Sequence, residues 1–182
     1  VYKRQSPWKG QDVFLRAFAQ IAHRFPEARA VIVGSAGDKP QGRAFEKELH
    51  RLAMELRIEG RVVFAGHRDD VEVVMGASDI VVHSSSKPEP LGRVIMEAIA
   101  LGRPVIATNG GGVPEMIEDG VTGSLASPGD AEDLSRALGT VLTDPERAAE
   151  MAERARSEAR SRFTAESFAR TLEREYEALL LA

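Results

Sequence analysis

Apolar residues along the chain fall into two alternating rhythms. Short runs that are apolar at nearly every position occupy residues 30–33, 62–65, 80–82 and 105–107, with a weaker run at 122–125. They are closed by Gly34, Gly66, a serine–proline stretch and the glycines at 110–112. Unbroken runs of this length predict parallel strands covered on both faces. Between them the spacing becomes helical. Residues 11–24 place Val13, Phe14, Phe18, Ile21 and Ala22 at helical intervals, with Phe25 just beyond, and 45–56 does the same with Leu49, Leu52 and Leu56. Shorter helices are predicted at 71–76 and 92–101. Asp130 caps a helix over 131–142, Pro145 opens one over 145–163, and Thr164 caps one over 165–181. This alternation predicts an α/β fold with a doubly wound parallel sheet.

Composition narrows the classes. A chain of 182 residues suits one domain. With 43% hydrophobic and 29% charged residues it is a globular chain, which excludes intrinsic disorder. There is no cysteine, which excludes disulfides, thiolate nucleophiles and Cys-ligated zinc. The net charge of −4 leaves no basic footprint for nucleic acid. No apolar run approaches the roughly 20 residues of a membrane span. The Arg- and Glu-rich stretch 146–162 reads as a solvated helix face. Val1, Tyr2, Lys3 and Arg4 read as the tail of a strand, so the chain is expected to begin inside something larger.

In open α/β sheets, ligands bind beyond the carboxyl ends of the strands. Those ends carry Gly34–Gly37, Gly66 with His67, the loop 84–92 and Gly110–Gly112. Glycine lets backbone amides approach an anion, although it serves tight turns equally well. The densest segment is 88–97. Pro90 and Gly92 mark a turn into a helix whose first amides suit a phosphate. Glu89 precedes that helix and Glu97 lies within it. A carboxylate accepts from paired hydroxyls such as those of a sugar or a ribose, while the plain alternative is a surface acid. Arg4 and Lys9 flank Pro7 and Trp8, and two cations at one rim suit a diphosphate leaving group unless they are merely solvated. His83 reads as structural, and His23 and His50 as helix-face residues. Asp69 and Asp70 lack the spacing of a metal clamp.

Residues 82–107, with Glu89 and Glu97 separated by seven residues, resemble the signature of retaining glycosyltransferases of family 4, the glycosyl transferases group 1. The segments 111–115, 119–123 and 128–130, and Arg4 followed by Ser6, Pro7, Trp8, Lys9 and Gly10, fit the same family. The resemblance implies a Rossmann-like parallel sheet with helices on both faces, the C-terminal half of a two-domain GT-B glycosyltransferase. It implies a nucleotide-sugar-binding domain over 1–163. Residues 164–182 would form a closing helix packed on that domain or toward a missing N-terminal acceptor domain.

The same resemblance implies the roles. Arg4 and Lys9 would stabilise the leaving diphosphate. Glu97 would hold the ribose and Glu89 the sugar hydroxyls. The amides of Leu91, Gly92 and Arg93 would hold phosphate and sugar, with Gly34 nearby and His67 and Arg68 beside the base. Lys3, Gln5 and Leu91 depart from the family pattern, which usually has a glycine, an aliphatic residue and a phenylalanine there. The implied reaction moves a sugar from a UDP, GDP or ADP donor to an acceptor hydroxyl in polysaccharide, lipopolysaccharide or glycolipid synthesis. No metal or other cofactor is implied. The implied location is cytoplasmic, with peripheral attachment to the inner membrane face open to the full enzyme. The isolated domain is expected to be inactive. The alternative is a stand-alone nucleotide-binding or interaction module working with a separate chain. A 2-epimerase is disfavoured by the glutamate pair, and a dinucleotide oxidoreductase by the incomplete glycine pattern at 34–37.

Overall fold

The computed structural model describes residues 5–35 and 40–180. In chain order the elements are a 3-10 turn (Pro7–Lys9), α1 (Gln11–Ala22), β1 (Ala30–Val33), α2 (Pro40–Glu55), a second 3-10 turn (Glu59–Arg61) and β2 (Val62–Gly66). Then come α3 (Val71–Gly76), β3 (Val81–His83), α4 (Arg93–Ala100), β4 (Val105–Thr108) and α5 (Val113–Met116). The order ends with β5 (Ser124–Ala126), α6 (Ala131–Thr143), α7 (Pro145–Arg162) and α8 (Ala165–Leu180).

All five expected strands form. The last begins at Ser124 instead of residue 122, because the Thr122 hydroxyl accepts the Glu118 amide at 2.8 Å and closes a turn first. Helix α2 begins at Pro40, ahead of the predicted residue 45. Its opening residues are mostly exposed, so apolar periodicity is silent there. The single turn α5 was not predicted.

The parallel pairing is as expected, but the described strands do not form one sheet. β1 pairs with β2, and β3, β4 and β5 pair in that order; both sheets are parallel. Between β1 and β3 lies a cavity of about 380 Å³. Its walls are the two strands, Phe14, Phe18 and Leu138 on one face, and Val71 and Met75 on the other.

Helices cover both faces. On one, Phe14, Phe18 and Ile21 of α1 and Leu134 and Leu138 of α6 join Ile32, Val82 and Ile106. On the other, Val94, Ile95, Ala98 and Ile99 of α4 meet Val81, Val105 and Ala107, with Ala155 of α7 beyond. Neighbouring residues of β4 go to opposite clusters, the two-residue period of a doubly covered strand. Each fully buried Ile or Leu contributes about 1.5–3 kcal/mol.

The predicted caps form. Asp130 accepts the Glu132 and Asp133 amides at 2.9 and 3.0 Å, and Thr164 accepts the Ser167 amide at 3.0 Å. Each is worth about 1 kcal/mol. Arg61 clamps the α1–β1 connection by donating to the carbonyls of Ala22, Phe25 and Ala28. Helix α8 buries no residue, and Phe168, Leu172, Tyr176 and Leu179 are exposed along it.

Candidate functional site

The carboxyl ends of the strands form one rim, held together by backbone contacts. The turn ahead of α1 is stitched to the loop after β3. Ser86 N–H donates to the Trp8 carbonyl at 2.9 Å, and Ser84 Oγ donates to the Lys9 carbonyl at 3.1 Å. Gly10 makes this approach possible. It sits at φ +66°, and a Cβ there would come within 1.9 Å of the Ser84 carbonyl oxygen. A second approach joins the loop after β4 to the glutamate segment. Gly112 N–H donates to the Glu89 carbonyl at 3.1 Å, and a Cβ on Gly111 would meet that oxygen at 2.2 Å. Glycines 111 and 112 therefore serve close packing against residues 89 and 90.

Inside the rim the polar side chains converge on Glu89. Lys9 Nζ lies 2.5 Å from Glu89 Oε1 and 3.8 Å above the Trp8 ring centroid. On Oε2, Ser85 Oγ donates at 2.7 Å and His83 Nε2 meets the carboxylate at 2.8 Å. The Lys9 and Glu89 side chains are only 12% and 14% exposed. At that burial their attraction is far less screened than at an open surface. His83 Nδ1 faces Thr108 Oγ1 at 3.2 Å, and the Thr108 hydroxyl donates to the Ser85 carbonyl at 2.8 Å. That hydroxyl has one hydrogen, already committed, so it accepts from His83 Nδ1. An ionised Glu89 also only accepts.

A cavity of about 590 Å³ opens beside this network. Lys9, Trp8, Glu89, Arg93, Glu97 and the His67–Arg68 pair line it. Glu97 is 38% exposed and contacts Arg93 at 3.4 Å one helical turn away, so its carboxylate is open to a ligand. Gly92 caps α4 without a side chain, and the first amides of the helix face outward from its N-terminus. His67 reaches Asp69 at 3.2 Å, and Arg68 grips Asp70 through two nitrogens. That grip holds the Asp70 carboxyl below the usual carboxylate range and raises the Arg68 guanidinium.

The structure thus brings together Lys9, Glu89, Arg93, Glu97, His67 and Arg68. Leu91 is 55% exposed and is not a wall of the cavity. Gly34 is not among its described walls either: its amide donates to the Gly66 carbonyl at 2.7 Å and its carbonyl accepts Gln5 Nε2 at 3.1 Å. Arg4 lies outside the described residues. Sequence reasoning missed Trp8, Ser85 and Thr108 and gave His83 no partner. Only the strand register, which sets His83 beside Ala107, brings residues so distant in sequence together. Among the described residues, no group of three or more His, Cys, Asp or Glu side chains could hold a metal ion. No described helix is long and apolar enough to cross a membrane.

A parallel α/β layer whose strand ends gather cations, carboxylates and a free helix start is the build of one half of a GT-B glycosyltransferase. The solved structure of Anabaena HepE in complex with UDP superposes on it with a TM-score of 0.88 at 36% identity, over 97% of this chain and 47% of that one. The profile of the family described as glycosyl transferases group 1 matches residues 1–158, and the chain belongs to that family. Among curated relatives, the D-inositol 3-phosphate glycosyltransferase of Corynebacterium kroppenstedtii is 36% identical over 96% of this chain and 39% of its own length. The lipopolysaccharide core biosynthesis glycosyltransferase LpsE of Rhizobium meliloti is 42% identical over 58% of this chain and 31% of its own length. The chain spans less than half the length of each of these proteins.

Proposed function

We propose that this chain is the donor-binding domain of a retaining glycosyltransferase of family 4. The complete enzyme transfers a sugar from a nucleoside-diphosphate donor to an acceptor hydroxyl, in polysaccharide, lipopolysaccharide or glycolipid assembly. The observation that carries this reading is the convergence of Lys9, Glu89, Glu97 and the start of α4 on one cavity beyond the strand ends. HepE was solved with UDP and, separately, with UDP-glucose, which favours a uridine donor here.

In this reading the ribose hydroxyls lie against Glu97, the exposed carboxylate of the cavity. The diphosphate lies between the first amides of α4 and Lys9, with Arg4 as the second cation. Fixed donors aimed at a leaving diphosphate lower the barrier because they need no reorganisation as charge develops. Glu89 orients the sugar while Lys9, His83 and Ser85 hold it in place. His67 and Arg68 border the base. The reaction runs without a metal, its charge stabilisation coming from Lys9 and Arg4. Residues 1–163 form the donor-binding unit. Residues 164–182 form the closing helix, whose exposed apolar residues pack toward the acceptor domain.

The test is calorimetric titration of UDP, GDP and ADP into the 182-residue chain and its Glu97→Ala variant. UDP is expected to bind best, and the variant at least tenfold more weakly. Equal binding by both would remove the ribose assignment. The isolated chain is expected to transfer no sugar, so measurable transfer would refute the need for an acceptor domain.

A further inference from the structure

We infer that Trp8 is a platform on which a pyranose ring of the substrate stacks. The inference rests on the donor-binding reading and adds to it the residue that meets the carbon face of the sugar. Trp8 is the only tryptophan of the chain. It lines the cavity of about 590 Å³ and is 38% exposed. No other Phe, Tyr or Trp is among the described walls; the remaining apolar ones are Val71 and Met75 of α3 and Val94 of α4.

The ring is held in place by its backbone and by its neighbour. Ser86 donates both its amide, at 2.9 Å, and its hydroxyl, at 3.2 Å, to the Trp8 carbonyl. Pro7 fixes the φ angle just ahead, and the Gly10 amide closes the turn on the Pro7 carbonyl at 3.1 Å. Lys9 Nζ stands 3.8 Å from the ring centroid on one face, and Glu89 grips the same ammonium at 2.5 Å. With Lys9 over one face, the exposed part of the indole is the opposite face and the edge. A side chain confined in this way gives up little freedom when a ligand covers it.

The chemistry around the ring selects its ligand. A pyranose carries hydroxyls around its rim and bare C–H groups on its faces. A carboxylate serves the hydroxyls, and Glu89 stands one shared neighbour, Lys9, away from the indole. Only a flat apolar surface serves the C–H face, and an aromatic ring supplies both the area and the rigidity. The described contacts of Trp8 run to Lys9 and Ser86, at the diphosphate and sugar end of the cavity. The walls read as bordering the base, His67 and Arg68, make theirs with Asp69 and Asp70. A stacked pyranose therefore fits the position of Trp8 better than a stacked base. The sugar of the donor and a sugar of the acceptor share this chemistry.

Because the chain has a single tryptophan, its fluorescence reports on this ring alone. UDP, UDP-glucose and methyl α-glucoside are titrated into the 182-residue chain, with emission and heat followed together. UDP-glucose is expected to move the emission to shorter wavelength beyond any change at saturating UDP, because the sugar displaces water from the ring. That result assigns the platform to the donor sugar. The same shift from methyl α-glucoside on top of saturating UDP, with none from UDP-glucose, assigns it to a sugar of the acceptor. A shift from neither overturns the inference.

Two variants separate stacking from support of Lys9. Trp8→Leu keeps an apolar cover beside Lys9 but removes the flat face, and Trp8→Tyr keeps a ring. Trp8→Leu is expected to weaken the sugar ligand that gave the shift by about threefold or more beyond its effect on UDP, with most of the loss recovered in Trp8→Tyr. UDP is the internal reference, since a variant that is merely less stable weakens both ligands alike. Equal losses for the two would mean that the ring serves only Lys9; they would overturn this inference and leave the donor-binding reading standing. A parent chain that bound no UDP in the calorimeter would overturn that reading, and this inference with it.

Discussion

His83 and Glu89 meet at 2.8 Å at the inner end of the rim, with the imidazole buried and the carboxylate at the edge of the cavity. Thr108 fixes the far side of the ring and Lys9 the far side of the carboxylate. Among the described residues, His83 is thus the inner anchor of the carboxylate that holds Lys9 in the cavity. His83→Ala is expected to cost about 1.5–3 kcal/mol, because it removes one hydrogen bond to a carboxylate that keeps Ser85 and Lys9 as donors. Chemical denaturation measures that cost. In the full-length enzyme, sugar transfer should fall while UDP affinity, assigned above by proposal to Glu97, stays within a few-fold. An equal loss of both would mean that His83 supports the whole domain and not Glu89 in particular.

Gly10 sets the reach of Lys9. Gly10→Ala forces a side chain into the left-handed region and onto the Ser84 carbonyl oxygen. The backbone conformation alone costs about 1–2 kcal/mol, and the clash adds to it by pushing the turn off the serine loop. The variant should be destabilised by at least that amount in denaturant and should bind UDP more weakly. Retention of full affinity would show that Lys9 reaches the ligand without this turn.

Much of this layout was legible in the sequence, for reasons specific to the residues. β4 reads directly because all four of its residues are buried, so its run is unbroken. Asp130 and Thr164 read as caps because their side chains bond the backbone locally. Glu89 and Glu97 were legible as carboxylates flanking a helix start. The partners of Glu89 were not: the Lys9 contact spans 80 residues and the Thr108–His83 contact 25, and no local period encodes either. The first turn of α2 was silent because its side chains face solvent.

Arg61 is another long-range tie with no local signature. Its guanidinium serves three carbonyls around the end of α1, with Nε and Nη2 both on Ala28. Hydrogen bonds from a charged donor contribute about 1.5–3 kcal/mol each, less where solvent reaches them. Arg61→Ala is expected to destabilise the domain by about 2–4 kcal/mol in urea. Arg61→Lys should recover less than half of this, since an ammonium lacks the planar fork that reaches several carbonyls together. Full recovery by lysine would show that charge, not geometry, closes the connection.

Acid should weaken the start of α6 through Asp133. Its carboxylate accepts the Ser127 amide at 2.7 Å, the main reason it is held below the usual aspartate range, and Arg136 adds a smaller contribution at 3.0 Å. A carboxyl lowered on folding gives up its proton more readily in the folded chain. Its contribution is therefore complete above the unfolded value of about 4 and is lost as pH falls through the lower folded value. Asp70 is lowered in the same direction but is half exposed, and surface pairs of that kind contribute little. Melting temperatures from pH 6 down to pH 2.5 should fall less steeply below pH 4 in Asp133→Asn than in the parent, with the variant already less stable at pH 6. Parallel curves would mean that the Ser127 bond persists with a protonated Asp133, and that acid acts elsewhere in the domain.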